Sequence, residues 1–101
     1  MALDSFFKWL IAKNIYKLKN SKHLTISKLA DTINVQRTHP YFHQIMGYLY
    51  DHQAVNIQEL VGNAKVVTIN HKKLRTLLEE SIIYKEFQDF VYNKTDFYVG
   101  V

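Results

Sequence analysis

The sequence predicts a small α+β domain, mostly α: a first helix, two short helices joined by a turn, a β-hairpin and a long last helix. Three observations carry this. Between Leu24 and Val55 the apolar residues recur three and four apart, the spacing that aligns side chains on one helix face. Val55 and Ile57 alternate with Asn56 and Gln58, residues 65–69 are rich in β-branched side chains, and Gly62-Asn63 between them supplies the positive-φ positions of a hairpin turn. From His71 the helical spacing returns and continues to about Asn93.

In chain order, residues 3–20 read as an amphipathic helix whose core stripe is Leu3, Phe7, Leu10, Ile11 and Leu18, with Ile15 at its edge and Asn14 inside it. Trp9, Ala12 and Tyr16 fall on the roughly opposite face. Large aromatics there point to a covered surface, and we read Trp9 and Tyr16 as an oligomer contact in preference to an exposed pair. Asn20 to His23 connect to Leu24–Ile26, where one or two residues of strand are expected. Thr25 is placed to cap a short helix whose inner face is Leu29, Ala30 and Ile33. Asn34 tolerates the left-handed backbone that ends a helix, and Val35 plugs the end. Gln36, Arg37, Thr38 and His39 make the turn, and Pro40 suits the first turn of the next helix, where its missing N–H costs nothing. Phe42, Ile45, Met46 and Leu49 form its inner stripe, which leaves Tyr41, His43, Gln44, Gly47 and Tyr48 facing away.

The hairpin is expected within residues 54–70, its tip at Gly62, Asn63, Ala64 and Lys65. Asn70 then caps the last helix. That helix carries two apolar faces: Leu74, Leu77, Leu78 and Ser81 on one, Ile83, Phe87, Phe90 and Val91 on another. Either it bends or breaks near Ser81-Ile82, or its second half packs on another copy of the chain. The bulk of Phe87 and Phe90 favours the second, so residues 71–93 are read as a dimerisation helix and residues 94–101 as a tail.

Composition narrows the class. The 101 residues suit one domain, and Pro and Gly together number four, which argues against disorder. Without cysteine there are no disulfides, thiolate zinc sites or cysteine nucleophiles. No leader segment and no membrane-length apolar run is recognisable, so a cytoplasmic protein without a membrane partner is expected. The net charge of +4 is uneven: residues 1–37 hold seven basic and two acidic side chains, residues 38–70 are net −1, and residues 71–101 balance at five each. A polyanion would therefore meet the first third of the chain.

Leu29-Ala30, Ile33, Val35, Arg37, Phe42, Met46, Leu49 and Val55 resemble the pattern of small bacterial and archaeal winged helix-turn-helix transcription regulators, a type also found in archaeal viruses and plasmids. The resemblance covers residues 4–70 in the order of elements, and the last helix is similar to the dimerisation helix many such regulators append. It departs in three places. The turn is about two residues longer, Gln53 stands where the pattern has Gly, and the second helix of the motif has no Lys or Arg after Arg37.

The resemblance implies sequence-specific binding of double-stranded DNA by a homodimer, with the second helix in the major groove. Gln44 can pair with adenine, while Tyr41, His43 and Tyr48 reach phosphates or bases. Arg37, Thr38, Lys22 and Lys28 would hold the backbone, and Asn63 and Lys65 on the hairpin would touch an adjacent groove. Trp9, Tyr16, Ile83, Phe87, Phe90 and Val91 would form the dimer interface. The alternative is an adaptor in a replication or virion assembly, since tyrosine is enriched at protein interfaces. His39 and His43, four apart, have metal-ligand spacing but no third ligand, and are read as surface or capping histidines. No cofactor is implied, and no glycine-rich phosphate loop or Ser/His/Asp constellation suggests an enzyme.

Overall fold

The computed structural model describes residue 3 and residues 5–60, 62 and 64–81. They form four helices and one antiparallel hairpin, an α+β arrangement that is mostly helical: α1 (Phe6–Tyr16), α2 (Ile26–Thr32), α3 (Pro40–Asp51), β1 (Val55–Glu59), β2 (Lys65–Ile69) and α4 (His71–Glu80). Each helix starts on a residue whose side chain accepts one of its unpaired amides. Ser5 takes the Lys8 N–H at 3.3 Å, Thr25 that of Lys28 at 3.1 Å, His39 Nδ1 that of Tyr41 at 3.0 Å, and Asn70 that of Lys73 at 3.2 Å.

Helices α2 and α3 end in the same way. Asn34 at φ 60° and Gln53 at φ 61° turn the chain through the left-handed region. After α2 the Asn34 and Val35 amides donate back to the Asp31 and Ala30 carbonyls, both at 3.0 Å. After α3 those of Gln53 and Ala54 donate to Tyr50 and Leu49, at 3.1 and 2.8 Å. This double bond is the Schellman closure, normally built on glycine. Gln53 thus makes the corner in glycine's place.

The hairpin runs from Val55 opposite Ile69 to Glu59 opposite Lys65. Lys65 therefore opens β2 rather than sitting in the tip as the sequence suggested, and it faces Glu59 across the ladder. The second edge of β2 is closed. Thr25 bridges Val66, which is the short strand expected near Leu24, and the Val67 amide donates to the Leu24 carbonyl at 2.7 Å. Further along, the Asn20 amide group stands in for a strand. Its Oδ1 accepts the Ile69 N–H at 2.6 Å and its Nδ2 donates to the Ile69 carbonyl at 3.0 Å. Backbone groups left open along such an edge would otherwise invite pairing with other chains.

One core is shared by all elements. Phe42, Ile45, Met46 and Leu49 are buried as the stripe predicts, with Leu29, Ala30, Ile33, Val55, Val67, Ile69, Leu74 and Leu78. Helix α1 corrects the expectation. Trp9, Ala12, Ile11 and Ile15 are buried, whereas Phe7 is 46 % exposed and Leu18 lies past the helix end. The reason is that α1 packs against both α3 and α4, so its covered arc is far wider than one stripe. Trp9 is an interior residue whose indole N–H donates to the Leu78 carbonyl at 3.1 Å, and Tyr16 is half-buried with its ring edge-on to His71. The covered surface inferred for this pair is covered from within the chain, by α4.

Helix α4 stops at Glu80, because Ser81 is extended at ψ 137°. Ser81 is fully buried and its hydroxyl donates to the Leu3 carbonyl at 3.1 Å. Helix α4 thus ends at Glu80, where the apolar face changes and short of the 71–93 expected for it. Ile83, Phe87, Phe90 and Val91 lie outside the described residues, as does Asn63.

Losing the paired bonds to Ile69 through Asn20→Ala should destabilise the fold by about 1–3 kcal/mol, since it strands both an N–H and a C=O of β2. Urea unfolding followed by circular dichroism would read this, and a loss under ~0.5 kcal/mol would show that the clamp carries no weight.

Candidate nucleic-acid interface

The surface to examine is the outer side of α3 with the turn before it and the hairpin beside it. Once Phe42, Ile45, Met46 and Leu49 point inward, the 100° step per residue puts Gln44, Gly47 and Asp51 on the line farthest from the core. His43 and Tyr50 lie along one flank, Tyr41 and Tyr48 along the other.

The two flanks differ. Tyr41 leans on α1: its ring centroid is 5.7 Å from Phe7 and 5.4 Å from His39, and the Lys8 ammonium lies 4.9 Å above it. Tyr48 is half-buried and its ring lies 4.1 Å from that of His52, whose Nδ1–H donates to the Tyr48 carbonyl at 2.9 Å. Both tyrosines expected to be offered to a partner are therefore engaged within the chain, although Tyr41 remains 37 % exposed. Tyr50, which the sequence reading passed over, is 50 % exposed. Counting 100° per residue from His43 would have found it.

His43 and Gln44 are exposed, as expected, and with Gly47 they form an open strip. A methyl group added at Gly47 would meet nothing within 4 Å. A glycine in mid-helix costs about 1 kcal/mol relative to alanine, and no contact among the described residues requires it. What it provides is a flat place in the centre of the outer face, where another backbone can come close.

Charge is distributed around α3 rather than on it. Among the described residues the helix has no Lys or Arg, and Asp51 ends its outer line with a carboxylate. Arg37 and Thr38 are exposed in the turn, and the Arg37 guanidinium donates to Ser27 Oγ of α2 at 2.9 Å. Lys28, one residue on from Ser27, and Lys22, in the α1–α2 connection, are exposed as well. Arg37, Thr38 and α2 are thus brought together at the N-terminal end of α3. Lys65 is exposed but opposed by Glu59, which lowers its local field.

His39 is occupied as a helix cap through Nδ1, and no cluster of three His, Asp or Glu able to hold a metal occurs among the described residues. No helix among them is long and apolar enough to cross a membrane. The Lys13 ammonium is held below the usual lysine value, chiefly by burial, then by the positive charges of Lys17 and Arg75, while Glu79 acts in the opposite sense.

The different roles of the tyrosines can be measured. Tyr41→Ala should cost about 0.5–1.5 kcal/mol of stability by removing its aromatic contacts. Tyr50→Ala should stay within ~0.5 kcal/mol of the parent. Equal losses in chemical denaturation would contradict this assignment of the two flanks.

Comparison of the chain with family models, curated proteins and solved structures finds no match in any of the three.

Proposed function

We propose that this chain is a winged helix-turn-helix protein that binds double-stranded DNA sequence-specifically and regulates transcription, acting as a homodimer rather than as an enzyme. The observation that carries the reading is the outer face of α3. It is exposed along its length, flattened at Gly47, lined by Gln44 and His43, and flanked at its N-terminal end by Arg37 and Lys28. A major groove admits a helix presented in this way, with its first turns toward the bases. The hairpin and the Thr25–Val66 bridge supply the wing and its short third strand. In a two-fold dimer the two α3 helices would meet half-sites one helical turn apart.

A second reading is favoured by a specific feature. Asp51 and the absence of Lys or Arg along α3, beside the exposed Tyr50, suit a protein partner better than phosphate. In that case the chain is an adaptor, and duplex DNA would not compete with the partner.

Selection of bound duplexes from a randomised pool, followed by titration at several salt concentrations, separates the two readings. For the DNA reading, Arg37→Ala should weaken binding to all sequences and reduce the salt slope by about one. Gln44→Ala should relax preference at a single base pair, at a cost of ~1–3 kcal/mol. Failure to select any sequence, or salt-independent binding, would remove this reading. Sedimentation of a monomer at micromolar concentration, with and without DNA, would remove the dimer.

Gly47→Ala gives a further check. It should raise stability by about 0.5–1 kcal/mol while weakening duplex binding, because the added methyl stands in the approach path. Unchanged affinity would mean that the flat strip has no role in binding.

A further inference from the structure

Residues 5–30 hold six lysines and no carboxylate, and residues 60–78 hold Lys65, Lys72, Lys73 and Arg75 and no carboxylate. The fold brings parts of these two blocks to one corner. The His71 Nε2–H donates to the Leu18 carbonyl at 2.6 Å, and Asn20 is bonded to Ile69 through both ends of its amide. These bonds tie the connection that follows α1 to the end of β2 and to the first residue of α4. Lys17 and Lys19 flank Leu18 and Lys72 follows His71, and all three are exposed. Glu79 pairs with Arg75 at 3.5 Å, and Lys73 reaches Gln53 at 2.5 Å, at the corner after α3. Lys73, exposed as well, thereby lies beside the C-terminal end of α3, next to Asp51 and about 18 Å from the capped N-terminus along a helix of twelve residues.

We infer that this corner is a second DNA-contacting surface, a sequence-independent grip on the phosphate backbone flanking the segment that α3 reads. It deepens the proposed duplex-binding function and rests on it. The chemistry fits a polyanion. Lysine ammoniums act as point charges on phosphate without demanding a base, and a group of them releases counterions on binding. The geometry supplies what α3 lacks, since the helix itself carries no Lys or Arg. Because the group is assembled from the end of α1 and the start of α4, the His71–Leu18 bond and the packing of α1 on α4 hold its charges together.

The test uses the full chain and two probes, a short duplex of mixed sequence and a duplex recovered by selection. Lys17→Gln, Lys19→Gln and Lys72→Gln are combined in one variant, and none of these three side chains lies in the core. Expected is a loss of affinity of about tenfold for both probes alike, with a salt slope shallower by about two to three. Amide shifts of the parent protein on adding the mixed-sequence duplex should appear at residues 17–20 and 70–75. Gln44→Ala should weaken only the selected duplex. If the triple variant binds both probes with the parent's affinity and salt slope, or if the amide shifts avoid the corner, the inference falls while the α3 reading stands. If the mixed duplex is bound through the corner but no sequence is ever preferred, the corner stands and the sequence-specific reading falls. If the parent binds neither duplex at any salt concentration, both fall.

Discussion

The structure depends on how the connection before α2 is fastened to the back of β2. A lone two-stranded hairpin is marginal in water, and this one is supported along its second edge by the Leu24 carbonyl, the Thr25 bridge and the Asn20 amide. Three polar groups in six residues thereby fix the hairpin against the helices. They also set the direction in which α2 departs, because Thr25 both pairs with Val66 and caps α2. From there the Schellman closure at Asn34, the turn and Pro40 leave α3 a single way to lie across the core. The outward presentation of Gln44 and Gly47 follows from that docking and from the burial of Phe42 and Leu49.

Much of this was legible in the residues, since the relevant forces act over a few positions. Thr25, Asn34, Pro40 and Asn70 mark helix ends by chemistry confined to one turn, and each is found at the end it was assigned. The inner stripe of α3 was equally plain. Helix α1 was misread because a single stripe presumes a single neighbour, and nothing local to residues 6–16 announces that α4 will return to cover Trp9. Asn20 was read as part of a connection, for its partner lies 49 residues away. Ser81 could be placed at the change of apolar face, but the end of α4 there comes with a buried bond to Leu3, 78 residues away in the chain.

The candidate interface divides along the same line. Exposure of His43 and Gln44 follows from periodicity. The diversion of Tyr41 onto Phe7 and of Tyr48 onto His52 depends on tertiary neighbours that a helical wheel does not contain. Charge behaved in the same manner. Summed along the sequence, residues 71–101 are neutral, yet their first five positions contribute three cations, and the bond from His71 to Leu18 brings the first of them, Lys72, toward the end of α1. A count by segment averages over such an arrangement, and only the packing of α1 on α4 reveals it.

The indole of Trp9 has one consequence for anyone handling the molecule. It is the chain's one tryptophan, it is almost wholly shielded from water, and its N–H is held by a carbonyl in the last turn of α4. Its emission therefore originates from a single environment at the α1–α4 seam. Detachment of α4 would bring water to the ring and move that emission to longer wavelength, even with the α2–α3 pair intact. The protein thus carries an intrinsic optical gauge of whether its last described helix is docked, with no label required.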